Sequence, residues 1–208
     1  MSFHSQVSAE GDGEAVITNQ SKLPMAAWIF EILREPCNPI EAGQHAYLGY
    51  DSASVVNGAL QPSASKVQDI GASHCNKIGT HSPNRASLKV ALFADGSFVG
   101  DPGWLNILRQ NREARLDRVN RAIEALKKVD SAQTREQCLA YLDKARYPLP
   151  AEGDPHVEYS VPDPFDAAIR KLTADRSTSL RNQIAELLTQ LEAERGRLES
   201  QKPRRAGL

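Results

Sequence analysis

Apolar and polar positions alternate along the first hundred residues and then change period at Gly100-Asp101-Pro102-Gly103, after which apolar side chains recur every three or four positions. Alternation places successive side chains on opposite faces of a strand, whereas spacings of three and four collect them on one face of a helix. In the first part, Ala15-Val16-Ile17-Thr18 predicts a strand and residues 19–24 a turn. The apolar run 25–33 predicts a central strand with Trp28, Phe30 and Ile32 facing one way. Shorter strands are predicted at 45–50, 54–56, 66–70 and 87–94. In the last of these Leu88, Val90 and Leu92 alternate with Lys89, Ala91 and Phe93, and Asp95-Gly96 supplies the turn into Ser97-Phe98-Val99.

Beyond the junction, Trp104, Leu105, Leu108, Leu116, Val119, Ile123 and Leu126 form one stripe, which predicts a helix over 103–129 with Asp101 as its N-cap. A shorter helix follows over 134–146, opened by Thr134 with Gln137 three positions on as a capping box and carrying Cys138, Leu139 and Leu142 on one face. Residues 151–162 read as a linker. Asp163-Pro164 then places an acceptor at N-cap and proline at N1, and Phe165, Ile169, Leu172, Leu180, Ile184, Leu187, Leu191 and Leu198 carry an apolar stripe over 163–201. Those residues, about 38 of them, would span about 57 Å if unbroken. The Ser- and Thr-rich stretch 173–179 is where a bend or break is expected, and the 103–129 helix is the expected antiparallel partner.

These periods predict an α+β protein, with an N-terminal antiparallel immunoglobulin-like β-sandwich over 14–100 and a C-terminal helical hairpin or bundle with long helices over 101–202. Residues 1–13 and 203–208 are expected to be flexible termini.

Composition narrows the function classes. The 208 residues are 40% hydrophobic and 25% charged with a net charge of -1, an ordinary globular balance. Residues 1–100 hold 6 Lys+Arg against 9 Asp+Glu and the remainder 19 against 17, so neither part is a polyelectrolyte. The arginines at 109, 112, 115, 118 and 121 are interleaved with acids, and no nucleic-acid partner is expected. No stretch approaches the ~18 to 20 consecutive apolar residues of a membrane span. As written the chain reads as cytoplasmic, or as secreted or periplasmic if a leader was removed.

Few residues suggest chemistry. Cys37 and Cys75 could form a disulfide in an oxidising compartment or remain free thiols. His74, Cys75 and His81, with Cys37 as a fourth, are zinc-ligand types, yet their spacing matches neither CxxC nor HxxxH. No metal is assigned, and a metal-dependent hydrolase using His74, His81 and a carboxylate such as Asp95 is kept as the alternative. No catalytic residue and no cofactor are assigned, since no GxSxG, HExxH or phosphate-binding glycine motif occurs. Trp28, Tyr47, Tyr50 and Phe98 are the candidate binding face on the sheet.

Ala15-Val16-Ile17-Thr18-Asn19 with Leu23-Pro24-Met25-Ala26-Ala27, and Ala91-Leu92-Phe93-Ala94-Asp95-Gly96-Ser97 with Gly100-Asp101-Pro102-Gly103-Trp104, resemble a group of uncharacterised secreted bacterial proteins. The resemblance implies an extracytoplasmic location and carries no activity. The expectation is a non-enzymatic interaction protein with a protein partner or self-association, the C-terminal helices serving in the latter case as an oligomerisation device.

Overall fold

The alternating half forms strands β1 (Ser2–Val7), β2 (Asp12–Thr18), β3 (Met25–Arg34), β4 (Gln44–Asp51), β5 (Ser65–Ala72), β6 (Arg85–Phe93) and β7 (Phe98–Gly100). Helices α1 (Pro102–Lys128), α2 (Arg135–Ala145), α3 (Pro164–Ala174) and α4 (Leu180–Ser200) follow, with a short strand β8 (Val157–Tyr159) between α2 and α3. The computed structural model describes residues 2–7, 12–34, 44–55, 58–72, 85–129, 134–146, 157–159 and 162–200.

Two sheets result, one ordered β1-β2-β5 and the other β7-β6-β3-β4-β8; every pairing is antiparallel except the parallel pair of β4 with β8. Ala15 and Ile17 of β2 pack against Trp28, Phe30 and Ile32 of β3, Tyr50 of β4 and Ala91 and Phe93 of β6, so the sheets share one apolar core. A buried Asn19 ties the connections together: its amide donates to Leu23 O and Leu60 O, both at 2.8 Å, and its carbonyl oxygen accepts from Ser21 N and Oγ. An Asn at a turn hydrogen-bonds backbone that would otherwise be unsatisfied, and here it fixes the exit from β2.

The opposite face of the five-stranded sheet is covered by the start of α1. Leu105 and Leu108 pack on Ala27, Ile29, Val90 and Leu92, with Trp104, Ile107, Tyr47 and Phe98 around them. The joint is tight because Asp101 caps α1, accepting from Gly103 N at 2.6 Å, while its own N–H donates to Lys89 O. Gly100 has φ +107, and a Cβ there would lie 2.2 Å from Lys89 O, so both backbone conformation and space require glycine.

A third cluster joins the helices: Val119, Ile123 and Leu126 of α1, Cys138 and Leu142 of α2, Phe165, Ala168 and Leu172 of α3, and Leu187, Leu191 and Leu198 of α4. Cys138 is a buried free thiol. The apolar stripe of the last helical segment is therefore spent inside the chain. The capping box at Thr134 and the Asp163 N-cap both form.

The 163–201 helix breaks within the Ser- and Thr-rich stretch where a bend or break is expected, giving α3 and α4: Asp175 Oδ1 accepts from Ser177 N and Oγ and from Thr178 N, a local turn that competes with helical bonding. The helices pack as a group of four, α3 contacting α1, α2 and α4. Elsewhere the structure differs from the sequence expectations. Ser2–Val7, expected to be a loose terminus, is paired in full register with β2. Residues 157–159, expected to be linker, add to the sheet beside β4. The segment expected as a strand at 54–56 begins inside a 3₁₀ turn, Ser52–Ser54, capped by the Asp51 carboxylate accepting from Ala53 N.

Candidate functional site

The four aromatic residues of the expected binding face do not share a face. Trp28 and Tyr50 are 1% and 5% exposed and stack at 4.2 Å and 17° within the core between the sheets. Tyr47 and Phe98 lie on the other side of the five-stranded sheet, where Tyr47 meets Trp104 at 4.5 Å and 39°. Parity is the reason: Tyr47 and Tyr50 stand three apart on one strand, so their side chains point to opposite faces. Tyr50 is further fixed by donating to Gly58 O at 2.6 Å, and burial pushes its hydroxyl pKa up.

Of the alternative metal set, Cys37, His74, Cys75 and His81 lie outside the described residues, as does the Cys37–Cys75 pairing. Asp95 serves its turn, accepting from Ser97 N at 2.9 Å and from Ser97 Oγ at 2.6 Å. Among the described residues no group of three or more His, Cys, Asp or Glu side chains is placed to hold a metal ion.

The polar cluster that does converge was not singled out from sequence. Glu31 of β3 sits on the face that α1 begins to cover, its side chain 18% exposed, with donors from strands on both sides. On β4, His45 Nδ1 lies 3.0 Å from Oε1 and Tyr47 O–H donates to the same oxygen at 3.4 Å. On β6, Lys89 Nζ lies 2.6 Å from Oε2 and Ser87 Oγ donates to it at 3.2 Å. The Lys89 ammonium is the main cause holding the Glu31 carboxyl below its ordinary range; burial opposes it, and His45 and Ser87 add to the lowering. A carboxylate so supplied with donors is a weak base at neutral pH. It acts instead as a fixed acceptor that orients four side chains over three strands.

A bulge in β6 makes this arrangement possible. Ile29 pairs with Val90 but Phe30 pairs with Leu88, so Lys89 is an extra residue in the ladder. The insertion changes the phase of the strand: Leu88 joins Ala91 and Phe93 on the inter-sheet side, while Val90 and Leu92 join the α1 side. The simple alternation expected for Leu88, Val90 and Leu92 is corrected accordingly. A lysine among apolar residues was the available sequence signal, and it could not be read without the register.

The arginines of α1 are used between elements. Arg112 and Asp51 form a buried two-point ion pair, Nε to Oδ2 at 2.5 Å and Nη2 to Oδ1 at 2.8 Å, with side chains 5% and 7% exposed. Arg115 donates to Glu194 Oε1 and Pro162 O, Arg118 to Asp163, and Arg121 to Ala145 O. Arg197 of α4 donates to Ala53 O, so two helices grip the turn after β4.

Compared with protein-family models, with curated proteins and with solved structures, the chain matches none. Among the described residues no helix is long and apolar enough to cross a membrane.

Proposed function

We propose that this chain is a non-enzymatic binding protein that engages a protein partner through the outer face of its five-stranded sheet. The observation that carries the reading is the patch where the partly exposed Tyr47–Trp104 pair adjoins the Glu31, His45, Ser87 and Lys89 cluster. Aromatic side chains rimmed by polar and charged groups, held on a strand and a helix rather than on loops, suit a protein-recognition patch. His45, 53% exposed, forms the rim, and Glu31 keeps the donors in place.

The strand orders β1-β2-β5 and β7-β6-β3-β4, facing each other over one core, support reading the β layer as an immunoglobulin-like sandwich, an architecture that often serves recognition. In that reading β8 is an addition from the helical part. The resemblance to secreted bacterial proteins supports placing the partner outside the cytoplasm.

Site-specific photocrosslinking tests the proposal. A benzoylphenylalanine at position 45 is expected to give a discrete covalent adduct in cells that make the protein, whereas the same group at Thr189, on the exposed side of α4, gives none. Adducts at 189 with none at 45 contradict the assignment.

A further inference from the structure

The two sheets end in β1 and β5 on one side and in β7 and β8 on the other. β7 and β8 are three residues long, whereas β5 has eight, Ser65–Ala72, and is the longest edge strand among the described residues, paired there on one side only. A long open edge presents unpaired backbone N–H and C=O groups and templates the addition of another strand; very short edges do not. No proline interrupts β5. On its outer face it carries Val67, in register with Val16 and at 55% the most exposed large hydrophobic side chain among the described residues. By length and composition, β5 is the edge of this molecule best suited to pairing with another chain.

Lys66 stands beside that valine and points the other way. It pairs with Ile17, a core residue, so its side chain enters the margin of the space between the sheets. Its Nζ lies 3.9 Å from the centroid of the Tyr50 ring, and the same ring stacks on Trp28. The ring face favours the protonated amine. Lys66 remains partly exposed, the position of a lysine whose stem covers apolar surface while its head keeps contact with water.

We infer that Lys66 keeps the β5 edge from pairing with a second copy of this chain. A strand laid along β5 covers the margin at which the ammonium sits and takes the charge out of water, with an aromatic ring beside it and no carboxylate partner among the described residues. The cost of burying that charge opposes the hydrogen bonds that the new ladder would gain. Asp69, exposed on the outer face with Val67, stays in water when a strand is added and poses no such obstacle. An inward-pointing charge on an edge strand blocks edge-to-edge association while leaving the fold intact.

Light scattering of the full chain over a range of concentrations tests the assignment. Lys66→Met keeps the unbranched stem, loses the charge, and is expected to self-associate at least about tenfold more tightly than the wild type. Lys66→Arg, which keeps the charge, is expected to retain the wild-type mass. Adding Val67→Lys to Lys66→Met places like charges opposite each other in a pairing of two β5 strands about that position, and is expected to restore the wild-type mass. A Lys66→Met chain with the wild-type mass at every concentration overturns the proposal, as does association of Lys66→Arg. An increase in mass that Val67→Lys leaves in place overturns it too, since its source would then be misfolding or another surface and not the edge.

Discussion

Glu31 shows what a single side chain contributes and when. Replacing Glu31 by Gln leaves Lys89 without its partner and removes the charge that four donors address, at an expected cost of about 1–2 kcal/mol at pH 7. Because the folded-state pKa lies below the ordinary value of 4.5, the stabilisation is complete above that value and is lost as pH falls through the folded pKa. Urea unfolding of the two proteins should therefore show a gap at pH 7 that narrows below about pH 4. A gap independent of pH would mean that shape, not charge, is what the glutamine fails to supply. The sequence showed Glu31 only as a polar interruption of an apolar strand. What made it a centre was pairing: His45 and Ser87 are 14 and 56 residues away along the chain, and no local pattern encodes such a distance. The split of Tyr47 from Tyr50, by contrast, follows from parity alone, so grouping them on one face went against a signal that the sequence carried.

Among the elements, helix starts were the most legible, because Asp101, Thr134 and Asp163 each carry the capping chemistry within three residues of the start. Ends and breaks depend on partners far away. The turn between α3 and α4 is held by Arg135 of α2, which donates to Leu172 O, Asp175 O, Thr178 O and Gln183 Oε1. A cation at the C-terminal carbonyls of α3 is favoured by the helix dipole as well as by those bonds. Arg135→Ala leaves four acceptors without their donor and is expected to cost about 2–3 kcal/mol, with amide exchange rising by at least an order of magnitude around 172–180 and little changed in the sheets. Uniform acceleration over the whole chain would show that Arg135 supports global stability instead. β1 and β8 escaped the sequence reading for opposite reasons. The former is ordinary strand sequence at the start of the given chain, and the latter is three residues paired along the edge of β4.

At the scale of the whole molecule, the change of hydrophobic period at Gly100 marks a change of architecture without separating two independent bodies. Leu105 and Leu108 seal the sheet, Arg112 pairs with Asp51, Arg197 holds Ala53 O, and Ala53 itself lies in the helical core. The strand content and the helix stripe were readable from the chain; this interlock was not, since an arginine at helical spacing looks the same whether it faces water or a buried aspartate. Truncating Arg112 to Ala leaves Asp51 charged and buried, an expected loss of about 3–5 kcal/mol. For a chain of this size that corresponds to a Tm lower by on the order of 10 °C.

Scanning calorimetry of the intact chain tests this coupling most directly. If sheets and helices unfold together, heating gives one transition whose calorimetric and van't Hoff enthalpies agree, and Arg112→Ala moves that transition down as a whole. Two separate transitions in the wild-type chain, only one of them shifted by Arg112→Ala, would contradict it.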